Sequence, residues 1–167
     1  MLADLRLPLP LTANLILRRA RIDDLPALVH LLSDDPVSAG RGDRSDVADI
    51  PLYERALAEL IADAANEVLV VVDDVDEPVA TMQLTRIPGM ARRGATRLLV
   101  EAVRVSSTRR SHGIGSAMMR WVIGTAAQAT GSSLVQLTSD EARTEAHRFY
   151  ERLGFVGSHR GFKYRVD

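Results

Sequence analysis

Two glycines, Gly113 and Gly115, stand just downstream of Arg109 and Arg110 in the run Arg109-Arg110-Ser111-His112-Gly113-Ile114-Gly115-Ser116. Such a run suits an anion. The first turn of a helix carries backbone N–H groups without intrahelical partners and the positive end of the helix dipole, so a phosphate placed there finds donors and a favourable potential. Glycines remove the side chains that would block approach, and arginines add cationic reach. The elements needed to position the turn flank it. Leu98 to Val105 is short, apolar and rich in Val and Leu, as a strand covered on both faces reads. Downstream, Ile114, Met118, Trp121, Val122, Thr125, Ala126 and Ala129 recur at helical spacing. Two nucleotide motifs fit poorly. A dinucleotide fingerprint needs a third glycine where Met118 stands, and no G-K-[ST] tripeptide occurs for a Walker-type loop.

Composition narrows the class. The 167 residues amount to about one domain, and 46% hydrophobic content suffices for one continuous core. A net charge of −1 argues against a nucleic-acid partner, whose electrostatic footprint is strongly basic. With no cysteine there is no disulfide framework, thiolate zinc site or cysteine nucleophile. His30, His112, His147 and His159 are too scattered for a metal site, and none is expected. Residues 1–12 are leucine-rich but interrupted by Pro8 and Pro10, which fits neither a signal peptide nor a membrane span. The expectation is a cytoplasmic protein, with no membrane partner, comprising a loose N-terminal arm (1–12) and a single domain (13–167).

The pattern [QR]-x-x-G-x-[GA], realised as Arg110-Ser111-His112-Gly113-Ile114-Gly115, resembles the coenzyme A pyrophosphate loop of the GNAT superfamily of acyl-CoA-dependent N-acetyltransferases. A second segment, Ala146-His147-Arg148-Phe149-Tyr150-Glu151-Arg152-Leu153-Gly154-Phe155, is similar to that family's A-x-x-[FL]-Y-x-x-x-G-F motif. Many members carry an Asn three residues before that Ala; here the place is taken by Arg143. The resemblance implies a mixed α/β fold, with a central, mostly antiparallel sheet whose one parallel strand pair splays around the coenzyme A site, flanked by about four helices. It also implies acetyl-CoA as acyl donor, surrounded by Arg110, Ser111, His112, Gly113, Ile114, Gly115 and Ser116. The backbone of Val103 and Val105 would pair with the pantetheine arm as an added strand does. The acceptor would be a primary amine of a small molecule or protein, and a homodimer is compatible with the resemblance.

Read in order, the chain predicts a strand over 14–19, a helix carrying Leu25, Leu28, Val29 and Leu32, a loop over 34–51, and a second helix over 52–65 with Leu57, Leu60 and Ile61 inward. Strands over 67–73 and 78–87 form a hairpin around an acidic turn. After the glycine turn and its helix, 134–138 should lie parallel to the Leu98 to Val105 strand. A helix over 142–153 ends at Gly154, and a final hairpin, 155–159 with 162–166, turns at Gly161. Gly124 interrupts a helix, and close packing against the sheet is the expected reason.

Acetyl transfer to an amine needs a neutral amine, a donor for the developing oxyanion and a proton for the departing thiolate. Without cysteine, direct attack in a ternary complex is the simplest scheme. Glu101 interrupts the apolar strand and is the candidate base; alternation places it with Leu99 and Val103 unless a bulge intervenes, and partial burial would tune it for that role. The alternative is a structural ion pair with Arg86 or Arg104. Tyr150, carried over from the resemblance, is the candidate acid; the alternative is a core tyrosine on the face made by Ala146, Phe149 and Leu153. The acceptor draws opposite hints. Five aspartates in 34–51 favour a cation, whereas Arg86, Arg92, Arg93 and Arg97 favour an acid. A non-catalytic acyl-CoA-binding or regulatory module is the alternative function, and a nicotinamide-dependent oxidoreductase a third.

Overall fold

A computed structural model describes residues 1–40 and 42–166. Six strands form one sheet in sequential order: β1 (Leu9–Thr12), β2 (Leu15–Arg19), β3 (Asn66–Val72), β4 (Pro78–Ile87), β5 (Arg97–Val105) and β6 (Leu134–Leu137). All neighbours are antiparallel except β5 and β6, which are parallel because a helical crossover joins them. The helical segments are α1 (Leu25–Ser33), the short α2 (Pro36–Ala39), α3 (Ile50–Ala62), the single turn α4 (Ala91–Gly94), α5 (Ile114–Trp121), α6 (Ala127–Ala129) and α7 (Thr144–Arg152). This is the mixed α/β architecture expected, with α2 and α4 adding short turns to the four longer helical stretches. Much of the 34–51 loop is thus taken up by α2 and by a 3-10 turn, Val47–Asp49, leading into α3. No helix among the described residues is long and apolar enough to cross a membrane.

Strand alternation splits the core across the two sheet faces. Val68, Val70 and Val72 of β3 meet Leu25, Leu28, Val29 and Leu57 of α1 and α3. On the opposite face Leu69, Val71, Met82, Leu84, Leu98 and Val100 meet Ile114, Met118, Met119 and Val122. Burying a side chain of this size contributes about 1.5–3 kcal/mol, so the crossover helix is held chiefly by its apolar face. Arg18 anchors the start of α1: it donates to both Asp24 oxygens at 2.7 and 2.8 Å and to Asp76 at 2.9 Å. Burial alone would raise the Asp24 carboxyl, but the Arg18 and Arg21 hydrogen bonds outweigh it and hold the group below its ordinary value.

Several expectations are corrected. The N-terminal segment is not loose: Leu2 and Leu5 are buried in the main core and β1 pairs with β2. Its leucines supply apolar cover that β2 would otherwise lack. Ile61 faces solvent, because the α3 stripe runs through Leu57 and Leu60 instead. Between α5 and α6 the helix widens into a π turn, Val122–Ala126. The added residue advances the helical phase, so Ala126, Ala127 and Thr130 are buried whereas Thr125 and Ala129 are exposed. Gly124 lies in this turn with nothing within 4 Å of the position a Cβ would take, so close packing is not its reason. Finally, α7 ends at Gly154 in the left-handed conformation (φ +90°), as expected, but no hairpin follows: the described residues beyond it have no regular secondary structure.

Candidate functional site

The site is organised by a change along β5. From Arg97 to Val100 the strand is paired on both sides, to β4 and to β6. Beyond Val100 the pairing with β6 stops, so the edge of β5 from Glu101 to Val105 has no strand partner among the described residues. At the same point Gln83 pairs with Glu101 and Thr81 with Arg104, leaving Met82 opposite both Ala102 and Val103. This is a β-bulge, and Ala102 adopts φ +49° to make it. The extra residue reverses the alternation. Val103 and Val105 therefore pack with the core beneath α5, while Glu101 and Arg104 share the opposite face.

Val105 leads directly into the glycine turn. Ser111 and Gly113 both have positive φ, +65° and +79°, which swings the chain so that α5 begins at Ile114. Gly113 supplies its carbonyl to the Ala117 N–H at 2.9 Å, leaving earlier N–H groups of the first turn without intrahelical acceptors. A Cβ on Gly115 would lie 3.5 Å from Phe149 and 3.8 Å from Val105, ordinary contact distances, so the turn, β5 and α7 converge at this position and leave room for little beyond a methyl group. Arg110 donates to the Val105 carbonyl and to the Asp34 carbonyl, both at 3.2 Å. His112 lies beside the Arg110 carbonyl at 2.8 Å, and Ile114 is buried. Arg110, His112, Gly113, Gly115 and the backbone of Val105 are thus brought to one place, with Ser111 and Ser116 in the same turn.

Tyr150 sits on α7, between Phe149 (ring centroids 5.1 Å apart) and Phe155 (5.8 Å). Burial pushes its phenol up, while the positive charges of Arg104 and Arg143 pull the other way. The group is therefore protonated at neutral pH, and no hydrogen bond ties its hydroxyl among the described residues. A core tyrosine would be expected to have that partner.

Two arginines near Tyr150 were not singled out by sequence reasoning as site residues. Arg104 donates to the Val103 carbonyl at 2.8 Å and to the Ser38 hydroxyl, while its Nε is buried without a partner. Burial first, then the neighbouring Arg143, lowers its guanidinium below the usual value. Arg143, standing where Asn is common in the resembling family, makes a two-pronged pair with Asp35 and so ties the start of α7 to the segment before α2. The only sequence signal for either was its position, one beside the bulge and one at a motif departure.

Glu101 is exposed, correcting the expectation of partial burial. The bulge places it apart from Val103, and neither Arg86 nor Arg104 forms an ion pair with it among the described residues; Arg86 donates instead to the Thr130 carbonyl at 3.1 Å. On the same face lies a groove of about 130 Å³ between α1, α3 and the sheet, walled by Leu28, Leu32, Tyr53 and Leu60 and floored by Gln83 and Ala102. The acidic-loop hint also changes. Asp34 accepts the Ser107 N–H at 2.7 Å, which holds its carboxyl low, and Asp35 is occupied by Arg143 and the Ser38 N–H. Both carboxylates serve internal structure. Among the described residues no group of three His, Cys, Asp or Glu side chains could hold a metal ion.

An open strand edge, a glycine turn opening a helix and a half-buried free phenol fit a ligand with an extended amide arm and a phosphate. Comparisons agree. The family model described as Acetyltransferase (GNAT) family matches residues 25–155. A transcriptional regulator from Bacillus halodurans C-125 is 38% identical, with a TM-score of 0.85, covering 91% of this chain and 99% of that one. An acetyltransferase from Trypanosoma brucei, at 22% identity and a TM-score of 0.72, covers 92% of this chain and 100% of its own and shares the fold. Glucosamine-6-phosphate N-acetyltransferase from Arabidopsis thaliana does the same at 17% identity and a TM-score of 0.72, covering 92% and 99%. No relative was found among curated proteins. With the family model spanning residues 25–155, a range that contains the glycine turn, the split strand and Tyr150, this protein belongs to the GNAT family of acetyltransferases.

Proposed function

We propose that the protein transfers an acetyl group from acetyl-CoA to a primary amine of a small molecule or protein by direct attack in a ternary complex. Acetyl-CoA supplies the activated acyl group as a thioester. The free edge of β5 would hold its amide arm through the backbone of Val103 and Val105, whose carbonyls keep a second lone pair beyond the arginine contacts already made. The Gly113 to Ser116 turn would bind the pyrophosphate through unpaired N–H groups, with Arg110 beside it. Tyr150 is the proton donor for the leaving thiolate, and its half-buried hydroxyl, without a hydrogen-bond partner among the described residues, is the observation that carries the reading. Glu101 is the exposed carboxylate available to take the amine proton through water. The groove beside it is mostly apolar, and its Thr81, Gln83 and Tyr53 already have hydrogen-bond partners. This favours an acceptor whose amine is borne on an apolar skeleton.

Replacing Tyr150 by Phe tests the proposal. Thiol release across an amine panel should fall by about 10²–10⁴-fold in kcat, while acetyl-CoA affinity by isothermal titration stays unchanged. An unaltered kcat would remove Tyr150 from the mechanism. The likeness to a transcriptional regulator of Bacillus halodurans favours a second reading, a regulatory module that binds acyl-CoA without turnover. Tight acetyl-CoA binding with no thiol release for any amine would decide for that reading.

A further inference from the structure

Arg104 is a half-buried cation without a counterion. A guanidinium offers more N–H donors than the acceptors it finds here, the Val103 carbonyl at 2.8 Å and the Ser38 hydroxyl, and both of those are neutral. Its Nε is buried and unpartnered. The carboxylates within electrostatic reach are engaged elsewhere: Asp35 by Arg143 and the Ser38 N–H, Asp43 by the Tyr53 hydroxyl. A charge withdrawn from water is ordinarily paired, so this one lacks its partner.

The Ser38 hydroxyl marks where that partner would sit. It accepts from Nη2 of Arg104 and, at 3.3 Å, from Nη2 of Arg143, so one neutral oxygen serves two guanidinium groups. Nε and Nη2 make the edge on which an arginine holds both oxygens of a carboxylate, and on Arg104 that edge carries a single hydroxyl. The placement matters too. Thr81, which stands opposite Arg104 in the β4–β5 pairing, lines the apolar groove together with Gln83 and Ala102. Arg104 also acts through space on the Tyr150 phenol. It therefore adjoins both the groove and the proton donor.

We propose that the acceptor is a free apolar amino acid, whose carboxylate takes the Nε–Nη2 edge of Arg104 in place of the Ser38 hydroxyl while its side chain enters the groove. This rests on the transferase reading and narrows it. With the carboxylate and the side chain both held, the amine on the carbon between them is presented to the thioester. The nitrogen bonds to the acetyl carbon as the carbon–sulfur bond breaks; the amine proton leaves through water to Glu101, and the Tyr150 proton goes to the thiolate. Leu28, Leu32 and Leu60 offer the side chain apolar walls. A protein amino terminus has no carboxylate on that carbon and leaves Arg104 unpaired.

Leucine, leucinamide and isoamylamine share an amine and an aliphatic side chain but differ at the carboxylate. Thiol release from acetyl-CoA should favour leucine over the other two by about 100-fold or more in kcat/KM, and Arg104→Met should abolish that preference. Arg104→Lys, which keeps the charge without the fork, should retain part of it. Far-UV circular dichroism and acetyl-CoA affinity check that the variants fold. A wild-type enzyme that does not favour leucine, or a preference that survives Arg104→Met, overturns the proposal and leaves the transferase reading standing. Binding is read without turnover by titrating CoA-loaded protein with N-acetylleucine and with N-isoamylacetamide. The first should bind about 100-fold more tightly, and Arg104→Met should remove the difference. If it does so while no amine releases thiol, the carboxylate site stands and the transferase reading fails. Equal binding of the two overturns the proposal whatever the turnover.

Discussion

The two halves of β5 do different work within one continuous strand. Arg97 to Val100 is clamped between β4 and β6, with Leu98 and Val100 sealed in the core. Glu101 to Val105 keeps β4 but loses β6, is nowhere fully buried, and passes through the bulge at Ala102. A strand paired on both sides has committed its backbone groups to the fold; one paired on a single side has a row of them left for a ligand. The parity change adds a second difference. It keeps Val103 and Val105 anchored under α5 and turns Arg104 to the face on which Glu101 already lies, the face carrying the groove beside α1 and α3.

That contrast can be broken from either end. The largest effect is expected in the clamped half: Leu98→Ala should cost about 2–5 kcal/mol of stability by urea denaturation, with acetyl-CoA affinity of the folded fraction unchanged. A loss of affinity without loss of stability would mean the clamped half belongs to the site. Next comes the turn fed by the open half. Gly115→Val places branches against Phe149 and should lower acetyl-CoA affinity by at least tenfold in calorimetry, whereas Gly115→Ala, at an ordinary contact distance of 3.5 Å, should be nearly silent. Equal behaviour of the two variants would show that close approach at this glycine is not needed. The smallest effect sharpens the bulge itself. Ala102→Gly relieves a left-handed alanine and should stabilise the protein by about 1 kcal/mol; destabilisation would mean that the Ala102 methyl, which lines the groove, contributes packing that outweighs the strain.

Local chemistry was legible where residue types act through their own backbone. Gly113 permits a positive φ whatever surrounds it, and Gly154 ends α7 for the same reason, so turn and helix stop could be placed from the sequence. The apolar runs of β3, β4 and β5 likewise declared themselves by β-branched content. Features that depend on phase were misplaced. One added residue in β5 turned Val103 to the other face and so separated it from Glu101, and one added residue in the π turn moved Thr125 and Ala129 outward. Periodicity assumes a constant repeat, and nothing local in either segment announces that it changes.

Charged residues divide in the same manner. The arginines of the glycine turn were recognised because they flank it in sequence, whereas Arg104 and Arg143 gather at Tyr150 from β5 and from the start of α7. Asp34 and Asp35 looked like surface charges available to a substrate until their partners, Ser107, Arg110 and Arg143, proved to lie more than 70 residues away. By itself, then, the sequence determined the fold class, the glycine turn that starts a helix and the helix that carries Tyr150, because each is written in neighbouring residues. Tertiary structure alone decided which carboxylates were free, which half of β5 stayed open and where the terminal segments went, because burial and pairing are properties of residues distant in the chain that fold into contact.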